Sequence, residues 1–104
     1  MAFADKLKTL PGVSHLAALQ LLDAAGEVVA TIENKPGQAG SLAVYNHLGQ
    51  LHGAITPEAA AQGIEIYAEH SEDARLNPGK HPNIDRLLRV AAGEGGYTVK
   101  LYSV

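Results

Sequence analysis

The densest set of chemistry-bearing residues lies in one loop, Asn77-Pro78-Gly79-Lys80-His81-Pro82-Asn83, and in the helix it opens. Free N–H groups and the macrodipole at a helix N-terminus favour an anion. Lys80 and Arg86 would flank that anion, and the backbone from Asn77 through Gly79 to Asn83 would cradle it. His81 would donate to the anion or move a proton. A phosphate or a carboxylate suits such a setting. A second loop, Asn34-Lys35-Pro36-Gly37, brings Lys35 and can approach the first in the fold. His81 and Asp85 stand four residues apart, a spacing that lets a carboxylate orient an imidazole for acid/base work. The competing reading is a rigid turn, since Pro and Gly punctuate loops for conformational reasons alone.

Around this loop the charges divide. Glu58, Glu65, Glu69, Glu72 and Asp73 form an acidic part; Arg75, Lys80, Arg86 and Arg89, against Asp85, form a basic part. Solvated helix faces that pair across a turn account for such a split, at about 0–1 kcal/mol per pair. His70 and Asp73, with Glu69 and His81 near in sequence, have ligand types that suit Zn²⁺ or Mn²⁺. A helix break expected near Ser71 spoils their spacing, so no metal and no cofactor is assigned. His47 and His52 are too far round a helix to share a face. No P-loop, G-x-G-x-x-G, H-E-x-x-H or G-x-S-x-G pattern occurs, so His81 has no visible nucleophile beside it.

Composition narrows the classes further. Eight Lys and Arg against 11 Asp and Glu give a net charge of −3, and 46% of the 104 residues are hydrophobic. That is too apolar for a disordered chain. An isoelectric point near 5.9 argues against a nucleic-acid partner. No apolar run approaches the ~18 residues of a membrane span. The opening residues lack a basic stretch followed by an apolar one, so a cytoplasmic protein is expected. No cysteine is present, which removes disulfides, thiolate nucleophiles and zinc-thiolate sites.

The length suits a single domain over 1–104. Residues 2–9 are amphipathic through Phe3 and Leu7 and end at Pro11-Gly12. Leu16 to Asp23 and Val28 to Glu33 read as a hairpin around Ala24–Glu27. The first of these strands is apolar at nearly every position, hence central and buried on both faces. Val28, Ala30 and Ile32 should share one face of the second. Ser41 to Leu51 is helical, with Leu42, Tyr45, Leu48 and Leu51 or His52 on one stripe and Gly53 as its stop. Thr56-Pro57-Glu58 marks a helix start by cap hydroxyl, N1 proline and early acid. That helix runs to about His70, with Ala60, Gly63 or Ile64, and Tyr67 buried, and a further turn covers Ser71 to Leu76. Asn83 to Ala92 is a helix burying Ile84, Leu87, Leu88 and Ala91. Tyr97 to Val104 alternates as a last strand beside the first. The fold expected is α+β: a small, mainly antiparallel three-stranded sheet with three or more helices on one face. Thr31, Glu33, Thr98, Lys100 and Tyr102 form the wet face.

Three runs, Val29 to Gln38, Leu42 to Asn46 and Asn77 to Leu87, resemble a small family of uncharacterised bacterial proteins known as a domain of unknown function. The resemblance covers nearly the whole chain and implies a bacterial, single-domain, cytosolic protein. It brings no activity or site residue.

Two functional readings follow. The first is a binding or interaction module that self-associates, with a homodimer formed through a sheet edge, because an edge must be covered, charged or paired. The alternative is a small enzyme or ligand-binding protein for a phosphorylated or carboxylated metabolite, held at the 77–83 loop.

Overall fold

The computed structural model describes residues 2–104. Its elements run α1 (Phe3–Leu7), β1 (Leu16–Leu22), β2 (Val28–Glu33), α2 (Ala39–His52), α3 (Pro57–Tyr67), α4 (Glu69–Leu76), α5 (Pro82–Ala91) and β3 (Thr98–Ser103). The sheet order is β2-β1-β3 with both pairings antiparallel, so the fold is α+β and the first strand is central. No helix among the described residues is long and apolar enough to cross a membrane.

The hairpin is set by Asp23, whose carboxylate accepts from Ala25 N and Glu27 N at 2.9 and 3.0 Å while Gly26 takes φ +82°. β1 is not buried on both faces. Leu16, Leu19 and Leu21 are buried, whereas Ala18, Gln20 and Leu22 face the wet side. An apolar run made of Ala and Leu cannot show by itself which of its faces is covered. Val28 also departs from expectation. A bulge between Leu21 and Leu22 sets Val28 opposite Leu22, and its side chain is half exposed. Thr31, Glu33, Thr98, Lys100 and Tyr102 do form the exposed face.

The helical layer packs on the other face. α3 starts where Thr56 Oγ1 accepts from Ala59 N at 3.1 Å, with Pro57 following. α2 ends at Gly53, in the left-handed region at φ +77°. The stripe of α2 is Leu42, Val44, Tyr45 and Leu48, while Leu51 is exposed. α5 buries Ile84, Leu87 and Val90, and Ala91 lies outside. Gly63 lets α2, α3 and α5 meet: a Cβ there would stand 2.7 Å from Leu87 Cδ1 and 2.8 Å from Leu48 Cδ1.

The helix expected to reach His70 divides earlier, at Ala68. This residue holds φ +52° and ψ −117°, the one positive φ outside glycine among the described residues. Ser71 secures the corner, its hydroxyl donating to Ile64 O at 2.6 Å. Residues 69–76 then form a helix of their own. The short α1 buries no residue. It is pinned to this corner by Phe3 N–H donating to Glu69 Oε1 at 2.7 Å and Lys6 Nζ donating to Glu65 O at 2.9 Å.

Candidate functional site

The 77–83 loop turns α4 into α5, and two carboxylates hold it. Asp73, on α4, accepts from Asn77 Nδ2 at 2.9 Å. Asp85, on α5, accepts from Gly79 N at 2.9 Å, with Gly79 at φ +92°. Lys80 N closes the turn on Asn77 O at 3.1 Å. Asn77, Gly79 and Asp85 therefore shape the loop.

The structure pairs His81 with Asp73 and not with Asp85. His81 Nε2 and Lys80 Nζ lie 2.6 and 2.8 Å from the same oxygen, Asp73 Oδ2. The bond from Lys80, then that from His81, pulls the Asp73 carboxyl down to about 2. Asp73 is thus ionised at neutral pH, and Nε2 carries the proton shared with it. His81 Nδ1 is left as an acceptor or, once protonated, as a second donor. A depressed carboxyl stabilises the fold above its unfolded value, 3.8, and that contribution is lost as pH falls through about 2. Asp73→Asn is expected to flatten the acid limb of stability between about pH 4 and 2, read as urea midpoint against pH.

Lys80 and Arg86 do not flank one point. Arg86 turns inward, donating to Asn83 Oδ1 at 2.8 Å and to Tyr45 Oη at 3.2 Å. Tyr45 in turn donates to the carbonyl of Asn83. Burial pushes the Tyr45 hydroxyl up to about 12 against the pull of Arg86, so it stays a neutral donor. Lys35 is paired with Glu33 at 2.7 Å. Its loop nonetheless approaches the first one, through Gly37.

Beside the loop lies a cleft of about 270 Å³. Lys80, His81, Pro82, Asn83 and Ile84 form one wall. Gly37, Gly40 and Ser41 form another, and Phe3, Tyr67 and His70 a third. Phe3 stacks on Tyr67 with ring centroids 5.1 Å apart and meets His70 edge-on at the same distance. The His70 and His81 rings lie with centroids 5.8 Å apart, tilted by 53° to one another. Tyr67 donates to Ser41 Oγ at 2.7 Å, and burial raises its hydroxyl above the usual range. The Ser41 proton is then free to point into the cleft. Asn83 N–H, at the start of α5, has no acceptor within the described residues. Among those residues no three of His, Cys, Asp and Glu converge as a metal site, although α4 keeps His70 and Asp73 in one continuous helix.

Sequence reasoning reached Lys80, His81, Asn83 and the Gly37 loop, weighed His70 only as a metal-ligand type and Tyr67 only as core, and missed Phe3 and Ser41. Tyr67 reads as core because it is core on one side, and no local spacing ties Phe3 to His70.

A family model described as "Uncharacterized protein conserved in bacteria (DUF2322)" matches residues 3–101. No curated protein and no solved structure matches the chain.

Proposed function

We propose that this chain, which belongs to that family of uncharacterised proteins conserved in bacteria, binds a small phosphorylated or carboxylated metabolite in the cleft between α1, α2, α4 and α5. One observation supports this reading: separate stretches of chain bring one cation, two imidazoles and a hydroxyl to a single hollow beside an aromatic wall. Binding sites combine an apolar lining with a few convergent polar groups in this way. Lys80, His81, Ser41 and the Asn83 N–H would take the anionic group. Phe3, Tyr67 and Ile84 would take the carbon skeleton. The volume suits a metabolite rather than a polymer. Asp73 is not among the lining residues and steadies Lys80 and His81 from behind.

This ligand-binding reading is preferred to an interaction module as the primary role, because the polar groups converge on a concavity and not on a flat face. Thermal unfolding in a panel of inorganic phosphate, phosphorylated and carboxylated metabolites tests it. A bound member raises the midpoint, by mass action on the folded state. Lys80→Ala and His81→Ala erase that rise, whereas Lys35→Ala, outside the cleft, preserves it. A panel with no shift for the native chain overturns the reading.

A further inference from the structure

The two edges of the sheet are finished differently. At β2, the bulge displaces Val28, Gln38 Oε1 accepts from Glu33 N at 3.0 Å, and Lys35 pairs with Glu33. Bulges, covered ends and charges are how edges are kept from pairing. β3 carries one charge, Lys100, on its wet face, and its register irregularity lies on the β1 side, between Leu16 and Ala18; among the described residues no side chain caps an outward backbone group along it. At its start, Tyr97 exchanges backbone bonds with Ile55 on the side away from β1, at 2.8 and 3.1 Å. Just past its end, Val104 N–H donates to His15 O on the β1 side at 3.1 Å. Backbone direction alternates between those points. Val99, Leu101 and Ser103 therefore turn their N–H and C=O groups to the open edge, and the bonds among the described residues supply them no partner.

We propose that β3 pairs with β3 of a second copy, antiparallel, across a two-fold axis at Leu101, joining the two sheets into one. The register follows from the residues. An axis at Leu101 sets Val99 opposite Ser103 of the second copy and Leu101 opposite its own equivalent, which uses every outward backbone group. It also sets Lys100 opposite Tyr102 of the second copy, twice over, on the wet face. Within one chain Lys100 Nζ already lies 5.3 Å from the Tyr102 ring centroid, so the two strands continue that stacking. An axis at Lys100 would oppose two like charges, which destabilises a ladder, and would demand Tyr97, already engaged by Ile55. An axis at Tyr102 would leave Val99 without a partner.

The inner face agrees. Leu101 sits opposite Leu19 on the core side, yet remains 38% exposed. It borders a groove of about 100 Å³ with Asn46, Gly49, Gln50, Gly53 and Val99. Asn46 Oδ1, buried in that wall, has no hydrogen-bond partner among the described residues. The core is unfinished here, and Leu101 of the second copy covers the opening. A two-fold contact of one patch with itself is the commonest way that soluble chains assemble.

Sedimentation of the native chain at micromolar concentration is expected to give twice the monomer mass. Leu101→Lys, with two like charges meeting at the axis, is expected to sediment as a monomer with an unchanged circular-dichroism spectrum. Leu101→Cys keeps the question open to refutation should that variant misfold. Hydrogen-bonded antiparallel pairs hold Cα atoms about 5.5 Å apart, within disulfide reach. In a chain without cysteine, oxidation should then give a covalent dimer, whereas Val28→Cys on the other edge should not. A monomeric native chain, or equal cross-linking at Leu101→Cys and Val28→Cys, overturns the proposal. No β3 residue lines the cleft, so this result is independent of ligand binding.

Discussion

Leu48→Ala is expected to lower the unfolding free energy by about 2–5 kcal/mol, the usual loss for a buried leucine whose surroundings relax only in part. Leu48 is fully buried on α2, against the place where Gly63 opens α3 to both α2 and α5. At ~4–8 °C per kcal/mol for a domain of this size, the change in melting midpoint is large. The neighbouring glycine gives the experiment a second arm. Gly63→Ala alone crowds Leu48 and Leu87. Combined with Leu48→Ala, its methyl enters vacated space, so the double variant should lose less than the two single losses together. Strict additivity in urea titrations would refute the packing described at this contact.

Tyr45 carries the second large effect, and a pair of variants separates its two parts. Tyr45→Ala deletes a fully buried ring and is expected to cost about 3–5 kcal/mol. Tyr45→Phe keeps the ring and removes only the hydroxyl, which serves both Asn83 O and Arg86. Those partners are then left short of a bond, at about 1–3 kcal/mol. The phenylalanine variant has a further consequence. Tyr45 and Arg86 fix the position of Asn83, and Asn83 lines the cleft. Ligand-induced stabilisation should therefore weaken in Tyr45→Phe by more than its stability loss explains. An unchanged ligand shift would mean that the start of α5 is held by other contacts.

Local chemistry made parts of this molecule legible. Thr56-Pro57-Glu58 announces α3 because cap, proline and acid each act within one turn. Gly53 stops α2, and the alternation from Tyr97 to Val104 identifies β3, for similarly local reasons. What escaped depends on distance or on a residue that gives no signal. The α3–α4 corner falls on Ala68, where neither Gly nor Pro advertises a break, and the bond from Ser71 to Ile64 that secures it is tertiary. The candidate site shows the same division. Lys80, His81 and Asn83 are visible as a loop before a helix. Asp73 as the partner of His81 is not, because the connection crosses the turn itself and no helical spacing encodes it. Phe3 reaches the cleft only through the docking of α1, far from it in sequence.

That docking has a consequence for how the cleft persists. A helix as short as Phe3–Leu7 does not sustain itself in water, so it exists while it is moored and frays when it is not. The Phe3 side of the aromatic wall thus belongs to a segment governed by its own local opening, whereas Tyr67 opens only with the core. For the ligand binding proposed above, occupancy and amino-terminal order would then form one linked equilibrium: a molecule pressing on the Phe3 ring would tighten residues 3–7, and a force that peels those residues away would discharge the molecule.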